Sequence, residues 1–126
     1  MKIENLTGAH LDYWTGRADG IPSSELSIVR HQRGDEMLCV RNGARYAPST
    51  DWAQGGPIIV KQQIAIAPNG NEWDGYWNAG YFGPDGQIES NVSGGESNDC
   101  ATALIAAMRA YVSAKFGGSV PDQAVA

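Results

Sequence analysis

The sequence predicts an α+β fold, a mainly antiparallel sheet sandwiched by helices, in the order α-β-β-α-β-β-(β)-α. Three observations predict it. Apolar residues recur at helical spacing near both ends, at Leu11, Trp14 and Ala18 and again at Ala101, Ile105, Met108, Val112 and Phe116. Between them lie short alternating runs divided by turn residues, as in Leu26-Ser27-Ile28-Val29 followed by Gln32-Arg33-Gly34-Asp35-Glu36. A helix-start signal, Ser49-Thr50-Asp51, interrupts the strands at mid-chain.

Taken in order, Leu6 to Gly20 opens with Thr7 at a capping position and closes on glycine, so it reads as a first helix. Gly16 inside it costs about 1 kcal/mol against alanine, which calls for a neighbouring element approaching closely there. Glu25–His31 and Met37–Arg41 form a hairpin whose turn also explains the Arg33-Gly34-Asp35 tripeptide. A second helix runs from about Asp51 to Gln62, capped by Thr50 or Asp51, with Gln54 reaching back and Gly55-Gly56-Pro57 making its middle imperfect. Ile64–Ala67 is a strand, Pro68–Asn71 a turn, and Glu72–Phe82 a longer strand with Trp73, Trp77, Ala79 and Tyr81 on one face. Tyr76 and Phe82 lie opposite, which suits a central strand covered on both sides, with Gly75 and Gly80 marking bulges or close contacts. Gly83–Gly86 turns again, Gln87–Val92 adds an edge strand, and Ser93–Ser97 is a loop. The last helix starts at Asn98 or Asp99, stops at Gly117-Gly118, and turns Thr102, Ala106, Arg109 and Ser113 away from its apolar face. Asp122–Ala126 is a frayed end.

A chain of 126 residues suits one domain spanning 1-126, because that length buries roughly two thirds of its unfolded surface around a single core. The net charge of −5 opposes a nonspecific nucleic-acid binder, which must displace counterions with positive charge. Arg30, Arg33, Arg41 and Arg45 stand close in sequence, but Asp35 and Glu36 lie among them, as on a solvated hairpin. A double-stranded-RNA-binding arrangement also starts and ends with helices, yet the last helix lacks a lysine cluster at its start. Cys39 and Cys100 have neither zinc-knuckle nor redox-pair spacing and read as reduced thiols. Met1-Lys2-Ile3-Glu4-Asn5 lacks the apolar core of a signal peptide, and no stretch is long enough to span a bilayer, so a cytoplasmic location is expected. No metal or cofactor is expected, since His10, His31, Cys39 and Cys100 show no ligand spacing.

The densest stretch is Tyr46 to Ile59. Tryptophans are more often packed than exposed, but if Trp52 and Tyr46 line an open edge beside Asp51 and Gln54, they make an anchor patch for a protein partner. The candidate surface is therefore Tyr46, Ser49, Asp51, Trp52 and Gln54, with Arg109 offering a carboxylate contact. The partner's identity and the oligomeric state are not written in the sequence. No catalytic residue is assigned. The enzymatic alternative is a small hydrolase using Ser49 or Asp51 with His10 or His31, which requires hydrogen-bond reach between them; no Gly-x-Ser-x-Gly elbow is present. Gly55-Gly56 lacks a following Walker lysine, Lys61 being misplaced for that role.

Three blocks resemble a family of small tailed-phage proteins, the NinX-like family. They are Leu6-Thr7-Gly8-Ala9 with Leu11-Asp12 and Gly20; Tyr46 with Pro48 to Ile59; and Leu104-Ile105-Ala106-Ala107-Met108-Arg109 running on to Pro121. They cover about half the chain in the family's order, and the middle block is highly specific. The chain departs at Val60 and Ala103, where family members often carry an acidic residue and a proline. The resemblance implies a phage or prophage product acting inside a bacterial host cell, with the α-β-α sandwich of related phage domains; the partner expected for the candidate surface, from the residues themselves, is an unknown host or phage protein. It brings no activity to transfer.

Overall fold

In this computed structural model, residues 1–31, 33–68, 77–86, 88–93 and 102–121 are described, 88–93 by backbone alone. Among the described residues, three helices and two antiparallel sheets make an α+β fold. The elements are α1 (Gly8–Ala18), β1 (Leu26–Arg30), β2 (Met37–Arg41), β3 (Ala44–Arg45), α2 (Trp52–Gln62), β4 (Ala65–Pro68), β5 (Trp77–Phe82), β6 (Ile88–Ser93) and α3 (Ala103–Phe116). Short 3₁₀ turns stand at Ile3–Asn5 and Ser23–Glu25.

The expected single sheet is two. β1-β2-β3 and β4-β5-β6 are each antiparallel meanders, with Ile28 opposite Cys39 in the first and Ile66 opposite Ala79 in the second. The separation has a local cause: β3 spans two residues, and the chain then leaves the sheet to build α2. α1 packs on β1 and β2, α3 packs on β4, β5 and β6, and the two helices pack on each other. Helices therefore form the interior, and each sheet covers one of them.

α3 is the hub, touching α1, α2, the second sheet and the first 3₁₀ turn. Every residue from Leu104 to Val112 is buried. The outward side predicted for this helix does not exist along that stretch, because neighbours surround it. Its start is also placed differently: Thr102 is the cap, its hydroxyl accepting the Ile105 amide at 3.1 Å. Gly117 ends the helix at φ 86°, in the region open to glycine. After it, Val120 and Met1 bond each other, the N-terminal ammonium donating to the Val120 carbonyl at 2.7 Å.

Gly16 meets the predicted close neighbour. A methyl group there would lie 2.8 Å from Leu26 Cδ1 and 3.0 Å from Tyr46 Cε2, so the first sheet and the loop after β3 both press on bare backbone. Thr7 occupies the cap position of α1, but its side chain makes no capping bond. β5 is central, and its register against β6 shifts at Ala79/Gly80, the bulge that Gly80 suggested. Its two faces differ. Ala79 is fully buried and Trp77 and Tyr81 pack partly on the core, whereas Phe82 is 66% exposed, so two-sided cover does not extend to Phe82. The expectations for Glu72–Tyr76, the turn after Pro68, Gln87, the loop after Ser93, Cys100, Ala101 and the end from Asp122 lie outside the described residues, as do Asn98 and Asp99 themselves.

α2 is continuous despite its glycines and proline. The carbonyl deprived of a partner by Pro57 belongs to Ala53, an exposed residue that water can reach. The two glycines have opposite surroundings. A methyl on Gly55 would overlap the Pro48 carbonyl oxygen and approach Leu104 Cδ2 at 2.6 Å, while one on Gly56 would meet only Trp52 Cε3 at 4.0 Å. Gly55→Ala should therefore destabilise the fold by roughly 2–3 kcal/mol through overpacking, and Gly56→Ala should stabilise it by up to about 1 kcal/mol. Urea denaturation midpoints of the two variants would check the opposite signs.

Candidate functional site

The site grows from the start of α2. Asp51 has extended backbone, and its carboxylate accepts the Ala53 amide at 3.0 Å, a cap worth about 1 kcal/mol. Gln54 does reach back, but past the cap. Its Oε1 accepts the Ala47 amide at 2.8 Å, and its Nε2 donates to Asp51 Oδ2 at 3.3 Å and to the Arg45 carbonyl at 3.4 Å. One amide side chain thus braces residues 45–51 against the first turn of the helix.

Beneath this brace lies Asp12 of α1, only 5% exposed. Its Oδ1 accepts the Ser49 amide at 2.8 Å and pins the loop to the helix. Burial penalises the anion and pushes the carboxyl up to about 6, outweighing the downward pull of Ser49 and of Arg45. The Ser49 side chain contributes to that pull although its hydroxyl falls short of hydrogen-bond geometry. Cys39 is buried nearby on β2; burial, and secondarily the Asp12 charge, push its thiol up to about 12. Burial likewise raises the Tyr46 phenol. The hydroxyls of Thr15, Tyr46 and Ser49 are buried without a hydrogen-bond partner among the described residues. The polar layer under the loop is closed.

The six sequence candidates divide accordingly. Asp51 and Trp52 are exposed, Trp52 by 57%, and Gln54 is half-buried. Tyr46 is half-buried with its ring against Gly16, and Ser49 is 1% exposed. Arg109, expected on an outward helix face, is 1% exposed, and its Nε donates to the Leu6 carbonyl at 2.9 Å. Ser49 and Arg109 cannot touch a partner on this surface; the Ser49 amide holds the loop from below, and Arg109 joins α3 to the segment before α1.

Sequence reasoning missed Asp12 and the outer face of α2. The signal for Asp12 was its spacing: with Thr15 and Gly16 it forms a polar or small strip at three- and four-residue steps on an otherwise apolar helix. The signal for α2 was that Trp-Ala-Gln-Gly-Gly-Pro-Ile-Ile-Val has apolar residues on every side of a helix, a pattern that either buries the helix entirely or leaves an apolar side open. Trp52, Ala53, Pro57 and Val60 are exposed there, Val60 by 78%.

The hydrolase alternative needs a histidine beside Ser49. Since the Ser49 hydroxyl has no hydrogen-bond partner among the described residues, neither histidine activates it. His31 sits at the hairpin tip, where its Nδ1 accepts the Arg33 amide at 3.1 Å. A groove of about 620 Å³ at that tip is lined by Val29, Arg30, His31, Arg33 and Leu38 and contains none of the six candidates. Two of the clustered arginines are paired, Arg30 with Asp35 at 3.7 Å and Arg41 with Glu25 at 3.2 Å. Among the described residues, no helix is long and apolar enough to cross a membrane.

Asp12 generates a pH prediction. Its proton is held more tightly in the folded chain than at the ordinary value of 3.8, so stability is greatest below that value. As pH rises from there through about 6, the unfolded chain has already lost the proton that the folded chain still holds, and stability falls, by on the order of 2–3 kcal/mol in all. Asp12→Asn keeps an acceptor for Ser49 and removes the charge. Its stability relative to wild type should therefore rise by that amount between about pH 4 and pH 8, measured by urea denaturation at both; a difference that stays constant with pH would contradict the assignment.

Comparison with curated proteins gives no match. Comparison with protein families gives a match to the model described as Bacteriophage P22, NinX, over residues 2–115, which takes in the braced loop, all of α2 and nearly all of α3. The three sequence blocks and this match agree, and the chain belongs to the Bacteriophage P22 NinX family.

Proposed function

We propose that this phage-family protein works by binding another protein, without a bond-making step, through the start and outer face of α2, in the cytoplasm of the bacterial host. The observation that carries the reading is Trp52: an indole 57% exposed on a helix whose first turn is fixed by the Asp51 cap and the Gln54 brace. Exposed aromatics on rigid supports dominate binding energy, since little side-chain or loop entropy is lost when they are covered. Val60, Pro57 and Ala53 extend the apolar area, and Asp51 supplies a rim charge. Support for a non-enzymatic role comes from the chemistry beneath: Cys39 is held as a thiol by burial, and neither histidine hydrogen-bonds the Ser49 hydroxyl. The candidate surface is narrower than the sequence suggested, being Asp51, Trp52 and the outer side of α2, with Gln54 at its edge.

Affinity capture from bacterial lysate tests this with three proteins, each checked for folding by its thermal melt. Trp52→Ala should lower recovery of a specific partner by about 30-fold in affinity, the cost of losing a central aromatic anchor. Asp51→Asn keeps the cap and should change recovery only a few-fold. Equal recovery by wild type and Trp52→Ala would remove this surface from consideration.

A further inference from the structure

β1 leaves one edge of the first sheet open. The strand order is β1-β2-β3, and β1 packs otherwise on α1 and the Ser23–Glu25 turn, so among the described residues no strand lies along its far side. Two bonds just beyond its ends show which backbone groups point there. The Asn42 amide donates to the Glu25 carbonyl and the His31 amide to the Glu36 carbonyl, which makes Glu25/Asn42 and His31/Glu36 hydrogen-bonded pairs of the ladder. Such pairs alternate along an antiparallel strand, so Ser27 and Val29 also bond β2, while the amides and carbonyls of Leu26, Ile28 and Arg30 point away from it. The Leu26 amide is taken by the Ser23 carbonyl, and Leu26 is buried. Ile28 is half-buried and Arg30 exposed, and these two form the usable edge.

The groove at the hairpin tip takes in the end of this same strand, its lining being Val29, Arg30, His31, Arg33 and Leu38. Val29 and Leu38 stand opposite each other in register and supply an apolar floor, Val29 being 40% exposed. The other three are basic. Asp35 reaches Arg30 at 3.7 Å with its side chain wholly in solvent, a contact that another carboxylate can replace. Glu36 stands across from His31, and Arg33 has no ion pair among the described residues. Residues 26–45 carry four arginines against Asp35 and Glu36 on a chain of net charge −5, so this hairpin attracts what the rest of the surface repels.

We propose that the open edge of β1 receives an extended acidic segment of a partner protein as an added strand. This surface is separate from the outer face of α2 and does not depend on it. Residues opposite each other on paired strands share a face of the sheet. An incoming residue opposite Val29 therefore meets the apolar floor, one opposite Arg30 brings a carboxylate to its guanidinium, and one opposite His31 brings another to His31 and Arg33. The pattern recognised is an apolar residue adjoining two acidic ones. Main-chain bonds to Ile28 and Arg30 supply affinity, and the charges select the segment. A DNA strand would meet the arginines, but its backbone has no donor for the two open carbonyls. With two residues of usable edge the contact is small and the binding weak.

The test is a titration of a dye-labelled Thr-Val-Glu-Glu-Val-Thr peptide, whose sequence reads the same in both strand directions, with the full chain from about 1 μM to about 1 mM. Fluorescence anisotropy should saturate, and lysines in place of the two glutamates should remove binding. Arg33→Glu, at an exposed position and checked for folding by its thermal melt, should weaken binding by about tenfold or more. Amide-proton NMR supplies the readout that charge alone would not move: the peptide should slow water exchange at the Ile28 and Arg30 amides, with a smaller change at Val29, which already bonds β2. Trp52→Ala should bind the peptide as wild type does, so the two surfaces stand or fall separately. Absence of saturation, or binding that leaves the Ile28 and Arg30 amides unprotected, would overturn the proposal. So would oligothymidylate binding more tightly than the peptide, which would give the groove to nucleic acid, or protection at Ile28 and Arg30 that grows with protein concentration without peptide, which would give the edge to a second copy.

Discussion

Oδ1 of Asp12 and the amide of Ser49 meet at 2.8 Å in the interior, and on that contact the position of the loop between β3 and α2 depends. The carboxylate is acceptor-only and nearly sealed from water, so an amide donor is what makes its burial tolerable. Once Ser49 is held, Pro48 is buried with its carbonyl against Gly55, and Gly55 in turn lies against Leu104 of α3. The seat of α2 is therefore fixed by three backbone-level constraints in succession, a hydrogen bond, a buried proline and a glycine without room for a methyl. The outer face of α2 is rigid because of what lies under it.

The same economy appears at Arg109. A guanidinium can enter an apolar interior only with acceptors around it, and the Leu6 carbonyl at 2.9 Å is one such acceptor. The bond joins residues 103 positions apart, between α3 and the segment preceding α1. Tyr111 makes a similar link, its hydroxyl donating to the Ala18 carbonyl at 3.2 Å and lying 3.1 Å from Asp19 Oδ1. α3 thus grips both ends of α1 through polar side chains on a helix that is otherwise apolar. Edge-to-face packing of Trp14 on Phe116, ring centres 5.5 Å apart, closes the same interface with aromatic surface.

What could be read from the sequence was what is decided within a few residues. The Asp51 cap, the close approach at Gly16 and the bulge at Gly80 each follow from local backbone chemistry, and each is present. The α+β class was legible for the same reason, since helical and alternating periods are local patterns. Burial is not local. Arg109 and Ser49 look like surface residues by type, and they are interior because Leu6 and Asp12, remote in sequence, come to meet them. The division into two sheets was hidden because β3 is too short to show an alternating period. Thr102 was passed over as a cap because Asn98 and Asp99 precede it with equally good capping chemistry. Of the candidate surface, Asp51 and Trp52 were legible as a helix start. The side of that helix which stays uncovered was decided by where Gly55 could approach a carbonyl.

The first sheet touches the helical interior by way of α1, while the second is laid along α3. Leu26 and Cys39 are the fully buried side chains of β1 and β2, and Val29 and Met37 face outward near the hairpin tip. Cooperativity is then uneven across the molecule, since the hairpin can detach at the expense of few apolar contacts while α3 and its sheet keep theirs. Amide protons of that hairpin would trade with deuterium through partial opening, and those of α3 would wait for the whole chain to come apart.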